Sequence, residues 1–357
     1  MNWLWAPEPH SLMNNKPEYI DIDETASSRK EDHISLAFAS QQDKLLMDKR
    51  FYYEPMLSKH LEDAEILATK WAGYDLRLPL WVSSMTGGTE KAKKINFNLA
   101  RACGKYGFGM GLGSCRSLLF SDEYFEDFNV KHLMEDYPLY ANLGVAQVEI
   151  LAEKGDWERI SNMVEKLRAD GLIIHVNPLQ EWLQPEGDRF KHSPIDTIKE
   201  AVQNLSMPII VKEVGQGMGP ASLDALMRLP LKAVEFAASG GTNFSTIELF
   251  RADKKRKELL ENATRVGHTA EEMVHLLNQL YEKNSNEYRV EDIIISGGVK
   301  DFLDSYYLRK LSTTNAVSGH ASGFLKYALI DEESLDNYIE TMSEGLLMSE
   351  SFLRIRS

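Results

Sequence analysis

Cysteine is scarce in this chain: Cys103 and Cys115 are the two present in 357 residues. Two thiols cannot form a disulfide framework, and neither sits in a zinc-type spacing, so both read as semi-buried thiols in a reducing compartment. Long apolar runs are also missing. No stretch approaches the ~20 residues of a membrane-crossing helix, and the start, MNWLWAPEPH, lacks the basic-then-apolar layout of a signal peptide. A cytoplasmic protein without membrane attachment is expected. Positive charge is in deficit, with 40 Lys and Arg against 54 Asp and Glu and a formal net charge of −14. That balance argues against sequence-independent binding to nucleic acid or anionic membrane, which needs a basic footprint, and leaves room only for local cationic patches. A G-x-G-x-x-G dinucleotide turn is absent as well; GFGMGLGS is rich in glycine but spaced otherwise.

What is present is apolar content, 43% of the residues, enough for a substantial core. Residues 1–28 are rich in Pro, Asn, Asp and Glu without helical or strand period, and read as a flexible or partner-ordered extension. Residues 29–357 read as a single domain. Eight short aliphatic runs follow, each ending in small or polar residues: PLWVSSMTGG, GFGMGLGS, LYANLGV, GLIIHVN, PIIVKEVG, AVEFAASGG, DIIISGG and NAVSGHA. Segments of helical period separate them. Alternating strands and helices imply a parallel sheet, and eight such units predict an α/β fold of the closed (β/α)₈ TIM-barrel type.

Two segments depart from the repeat. A charged helical insertion precedes the seventh strand, with apolar positions at Leu259, Leu260, Met273, Leu276, Leu277 and Leu280; its KKRK reads as a solvated face. The mixed segment between Ala39 and Tyr74 is expected to cap the other end of the barrel.

Polar residues gather at the carboxyl ends of the runs, where barrel enzymes build their sites. In GLIIHVNPLQEWLQPEGDR, Gly171 to Arg189, alternation turns His175 and Asn177 toward the barrel mouth and Ile174 and Val176 toward the helices. Pro178 ends the ladder and aims Gln180 and Glu181 over the opening.

With SSRKEDHI, SSMTGGT, GLGSCRS, HVNPLQEWLQPEGD, IIVKEVGQG, SGGTNFSTIE and ISGGV in this order from Ser27 to Leu325, the chain resembles the type 2, FMN-dependent isopentenyl-diphosphate delta-isomerases. The resemblance implies reversible isomerisation of isopentenyl diphosphate to dimethylallyl diphosphate in isoprenoid biosynthesis. Reduced FMN would serve as acid and base, with Mg²⁺, and NADPH as the reductant of the flavin. It implies a homotetramer or larger assembly. Substrate phosphates fall to Arg29, Lys30, His33, Ser114 and Arg116, and Gln180 contacts the substrate as a catalytic residue with His175 and Asn177. Glu181 is implied as the Mg²⁺ ligand, in keeping with an ion that takes one or two carboxylates and completes its shell with water and phosphate.

Flavin contacts are implied for Ser84, Met85, Thr86, Ser114, Asn142, Lys212, Thr242, Gly297, Gly298, Val299, Gly319, His320 and Ala321. Lys212 and Glu213 are neighbours on one strand, so one of them faces inward, and the resemblance gives that place to Lys212. The chain departs from the family pattern at KDFLDSYYLRKLSTTN after SGGV, and at Ala237 and Ala238, where Ser-Gly is usual. Those departures put a cofactor hydroxyl contact in question. A rival flavin-barrel chemistry, α-hydroxy-acid oxidation, needs a His base and Arg clamps after the late strands, where the sequence offers His320.

Overall fold

The computed structural model describes residues 25–61, 63–85 and 90–356. Two compact units divide the chain, Met1–Lys49 and Arg50–Ser357. In the first, a helix spans Ala26–Leu36. Arg29 and His33 are one turn apart on it and share a face. Of the extension read over residues 1–28, residues 1–24 lie outside the described residues.

The second unit is built on a closed barrel of eight parallel strands. They are β1 (Leu80–Val82), β2 (Gly109–Gly111), β3 (Leu139–Gly144), β4 (Gly171–His175), β5 (Ile209–Lys212), β6 (Ala233–Glu235), β7 (Asp292–Ser296) and β8 (Asn315–His320). Each pairs with its sequence neighbour, and β8 closes on β1 through Ser318 opposite Leu80. These are the eight runs read from the sequence. Burial on both faces makes the runs continuous: Ile173, Ile210, Ala233, Ile294 and Val317 fill the interior, while Leu172, Ile174, Val234 and Ile293 pack under the helices.

The lower end is plugged by a hairpin, Thr69–Trp71 paired with Tyr74–Leu76, as expected for the segment before the first strand. Fully buried Trp71 lies 5.0 Å from the Trp81 ring and donates its indole N–H to the Ile293 carbonyl. The insertion before β7 comprises helices Phe244–Arg251, Lys254–Leu260 and Ala270–Asn284. A capping box of Thr269 and Glu272 starts the last of these, whose Met273 and Leu277 are buried. Leu259, read as part of an apolar face, is instead 71% exposed, because its short helix has no buried residue. Arg256 of KKRK is not wholly solvated either: it donates to the carbonyls of Trp182 and Leu183. Both thiols are fully buried rather than half-buried. Among the described residues no helix is long and apolar enough to cross a membrane.

Candidate active site

The carboxyl ends of β5 to β8 and β1 enclose a cavity of about 390 Å³. Lys212, Glu235, Ser296, Ser83 and Ser84 are among its polar side chains, and Thr242, Lys300 and Ser322 line it as well. Its walls are two loop segments, Gly240–Gly241 and Gly297–Gly298, which approach so closely that a Cβ on Gly241 would stand 3.1 Å from the Gly298 nitrogen. Gly297 must be glycine: its φ is 89°, and a Cβ there would lie 2.1 Å from the Ala238 carbonyl oxygen. Ala237 takes a left-handed φ of 44°, an uncommon conformation for a side chain with a Cβ. Lys212 turns inward and donates to the Glu213 carbonyl at 2.7 Å. Glu213 points away, and its Oε2 accepts the N–H groups of Gly215, Gln216 and Gly217, shaping the loop after β5. Ser83 Oγ, Ser84 Oγ and Glu235 Oε2 are buried without a protein partner.

Beside this cavity stands a second group of residues that bond mainly to one another. His175 is the register partner of Lys212 across β4 and β5. Its Nδ1 lies 2.7 Å from Asn142 Oδ1, so the neutral ring donates there and offers Nε2 as an acceptor. Burial, with the Lys212 charge added, pushes the His175 pKa down to about 3. Pro178 does not simply end the strand; it opens the short helix Pro178–Leu183, which carries Gln180 and Glu181. Asn177 Nδ2 donates to Gln180 Oε1 at 3.0 Å and to Glu181 Oε1 at 2.8 Å. Glu181 Oε2 accepts the Asp188 N–H at 2.7 Å. Gln180 in turn donates to Glu248 at 3.3 Å, and Arg251 holds the other Glu248 oxygen at 2.6 Å.

Asp188 links this group to the end of β2: Gln147 donates to it at 3.0 Å, and the Arg116 guanidinium lies 3.7 Å away. Ser114 and Arg116 are exposed on the turn after β2 and do not line the cavity. Asn142 is buried against His175. Gly319, Val299 and Ala321 line the cavity with the residues above, whereas Met85 and His320 do not. His320 packs edge-on against Phe324, and burial pushes its pKa down to about 4. Thr86 falls outside the described residues. Arg29, Lys30 and His33 lie on the Ala26–Leu36 helix of the first unit. Sequence reasoning missed Glu235, Glu248 and Asp188; a lone acid ending the apolar run AVEF was the one signal available for the first.

No protein-family model matches the chain. The isopentenyl-diphosphate delta-isomerase of Rickettsia africae (strain ESF-5) is 31% identical over 335 residues, covering 93% of each chain. This chain belongs to the isopentenyl-diphosphate delta-isomerase family. The Rickettsia prowazekii (strain Madrid E) member is 30% identical over the same length and coverage. Among solved structures, a mandelate oxidase variant with an FMN adduct aligns with a TM-score of 0.53 at 12% identity, over 84% of this chain and 82% of that one. A flavocytochrome b2 variant with benzoylformate aligns at 0.56 and 15%, over 84% and 71%. At such identities the likeness is one of fold, and it places this isomerase-family chain among TIM barrels.

Proposed function

We propose that the chain interconverts isopentenyl diphosphate and dimethylallyl diphosphate, with reduced FMN in the glycine-walled cavity and Mg²⁺ beside Glu181. One observation carries the reading: a cavity with partnerless polar atoms adjoins a polar group that is already hydrogen-bonded, in a single barrel mouth. Family membership supports the substrate.

The residues present fit both absent groups. Glycine walls, the Thr242 hydroxyl and the Lys300 cation suit a phosphate, and Lys212 and the orphaned Ser84 hydroxyl suit a polar ring edge. Glu181 keeps acceptor capacity on both carboxylate oxygens after its two hydrogen bonds, the sparse ligation that Mg²⁺ accepts. An unactivated alkene is a very weak base, so bound reduced FMN would supply the acid and base that ordinary side chains lack. Lys212 would fix charge at the cavity floor. Gln180, clamped between Asn177 and Glu248, would hold the substrate chain in one orientation. His175, uncharged, orders Asn142 rather than bringing positive charge to the diphosphate.

Arg116 would supply a phosphate contact, and for Arg29, Lys30 and His33 of the first unit the phosphate role rests on the family resemblance alone. A cytoplasmic homotetramer or larger, reduced by NADPH, completes the proposal. The oxidase reading lacks its base, since His320 is buried behind the cavity wall and does not line it. The test is a spectrum of the purified protein with FMN, followed by anaerobic incubation with isopentenyl diphosphate before and after dithionite. Dimethylallyl diphosphate formed only after reduction supports the reading. Equal rates in both states would overturn it.

A further inference from the structure

Glu235 ends β6 as Lys212 ends β5, and the two are register partners on neighbouring strands. Ala233 of the same strand packs in the barrel interior, so alternation turns Glu235 inward too. Its carboxylate lines the cavity at 0% exposure. A carboxylate so far from bulk water needs partners for both oxygens. Oε1 accepts from Ser296 Oγ at 3.0 Å, and that hydroxyl accepts the Ala237 N–H at 2.9 Å. Oε2 has no protein partner. Lys212 gives its ammonium to the Glu213 carbonyl instead.

Glu235 is the one acidic residue among the described residues lining the cavity, and the nearby wall is Ala237 and Ala238, which have no polar side-chain atom. Along the strand ends it lies between Lys212 and the Ser296–Gly297–Gly298 segment. A ligand reaching from the lysine to the glycine walls passes Glu235 with its middle portion.

We infer that Glu235 Oε2 accepts a hydrogen bond from a hydroxyl of the cofactor's polyol segment, which is the ribityl chain of FMN on the reading proposed above, and the inference rests on that reading. Glu235 thereby supplies a polyol contact on a wall that offers no side-chain hydroxyl at positions 237 and 238. A ring-only flavin keeps its N3–H but has no polyol hydroxyl to offer this oxygen.

The full-length protein is titrated with FMN and with lumiflavin, which has the ring but no polyol, by quenching of flavin fluorescence. Glu235→Leu should weaken FMN roughly tenfold or more, the loss of a charge-assisted hydrogen bond, and leave lumiflavin within about twofold. Glu235→Gln keeps the shape and should fall between wild type and Glu235→Leu. It also gives the answer if the leucine variant does not fold. Equal weakening of both flavins, or none of FMN, in the folded variants would overturn the assignment. A wild-type chain that binds no FMN would overturn the flavin reading itself, whereas tight wild-type binding with an unchanged FMN-to-lumiflavin ratio in the variants would overturn only the role of Glu235.

Discussion

The two sides of the barrel mouth are built in opposite ways. On the side of β3 and β4, Gln147, Asp188, Glu181, Asn177 and Gln180 form a continuous series of hydrogen bonds, which Glu248 and Arg251 extend from the helix after β6, with Asn177 Oδ1 left over. From β5 round to β1, glycines and hydroxyls surround a cavity in which Ser83, Ser84 and Glu235 have buried atoms without partners. A satisfied network holds its geometry before any ligand arrives, and an unsatisfied one carries a standing desolvation cost that a ligand relieves. On the reading proposed above, the knit side would position substrate and the open side would be completed by a cofactor.

The hardest blow to the comparison is Lys212→Ala, which removes the cation from the open side. Isomerase turnover should drop by about two to three orders of magnitude, the usual cost of losing a preorganised charge or donor. Rates within a few-fold of wild type would show that the cavity is not where the chemistry is supported.

Glu181→Gln tests the knit side by removing one charge and keeping the shape. The apparent Mg²⁺ requirement should rise about 10- to 100-fold, with FMN binding unchanged. A parallel loss of FMN would mean that the two sides are not separate devices.

A smaller effect comes from acid. His175 and His320 have pKa values pushed from 6.5 to about 3 and about 4, by burial first. The folded chain therefore binds fewer protons than the unfolded chain below pH 6.5, so stability is full above that value and is lost as pH falls toward 4. Calorimetric melting temperatures should be flat above neutrality and decline through this window, and His320→Gln should shallow the decline. An unchanged slope in that variant would place the acid sensitivity elsewhere.

Smallest is Ala237→Gly on the open wall. It relieves a left-handed φ of 44° but frees the unfolded chain, for a net gain of about 0.5 kcal/mol in unfolding free energy. A loss of stability on denaturant titration would show that Ala237 packs better than its backbone suggests.

Much of this was legible in the sequence. Strands buried on both faces leave unbroken aliphatic runs, so GLIIH, PIIVK and DIIIS could be placed, and the polar residues at their ends marked the mouth. The Lys212 and Glu213 pair was resolved by alternation together with family likeness, and the inward lysine lines the cavity. Other features left no periodic trace. Glu248 meets Gln180 across 68 residues of chain, and Asp188 reaches Glu181 through its main-chain N–H, which any residue but proline carries. Helix Lys254–Leu260 shows the reverse failure: Leu259 keeps a helical spacing that nothing buries.

The central claim is that the open side holds a flavin acting without net electron transfer, and counting reductant tests it most directly. Under anaerobic conditions with limiting NADPH, dimethylallyl diphosphate formed per NADPH oxidised is measured to completion. The account predicts many products per NADPH once the flavin is reduced, with deuterium from D₂O entering the protonated carbon. One NADPH consumed for every product would contradict it.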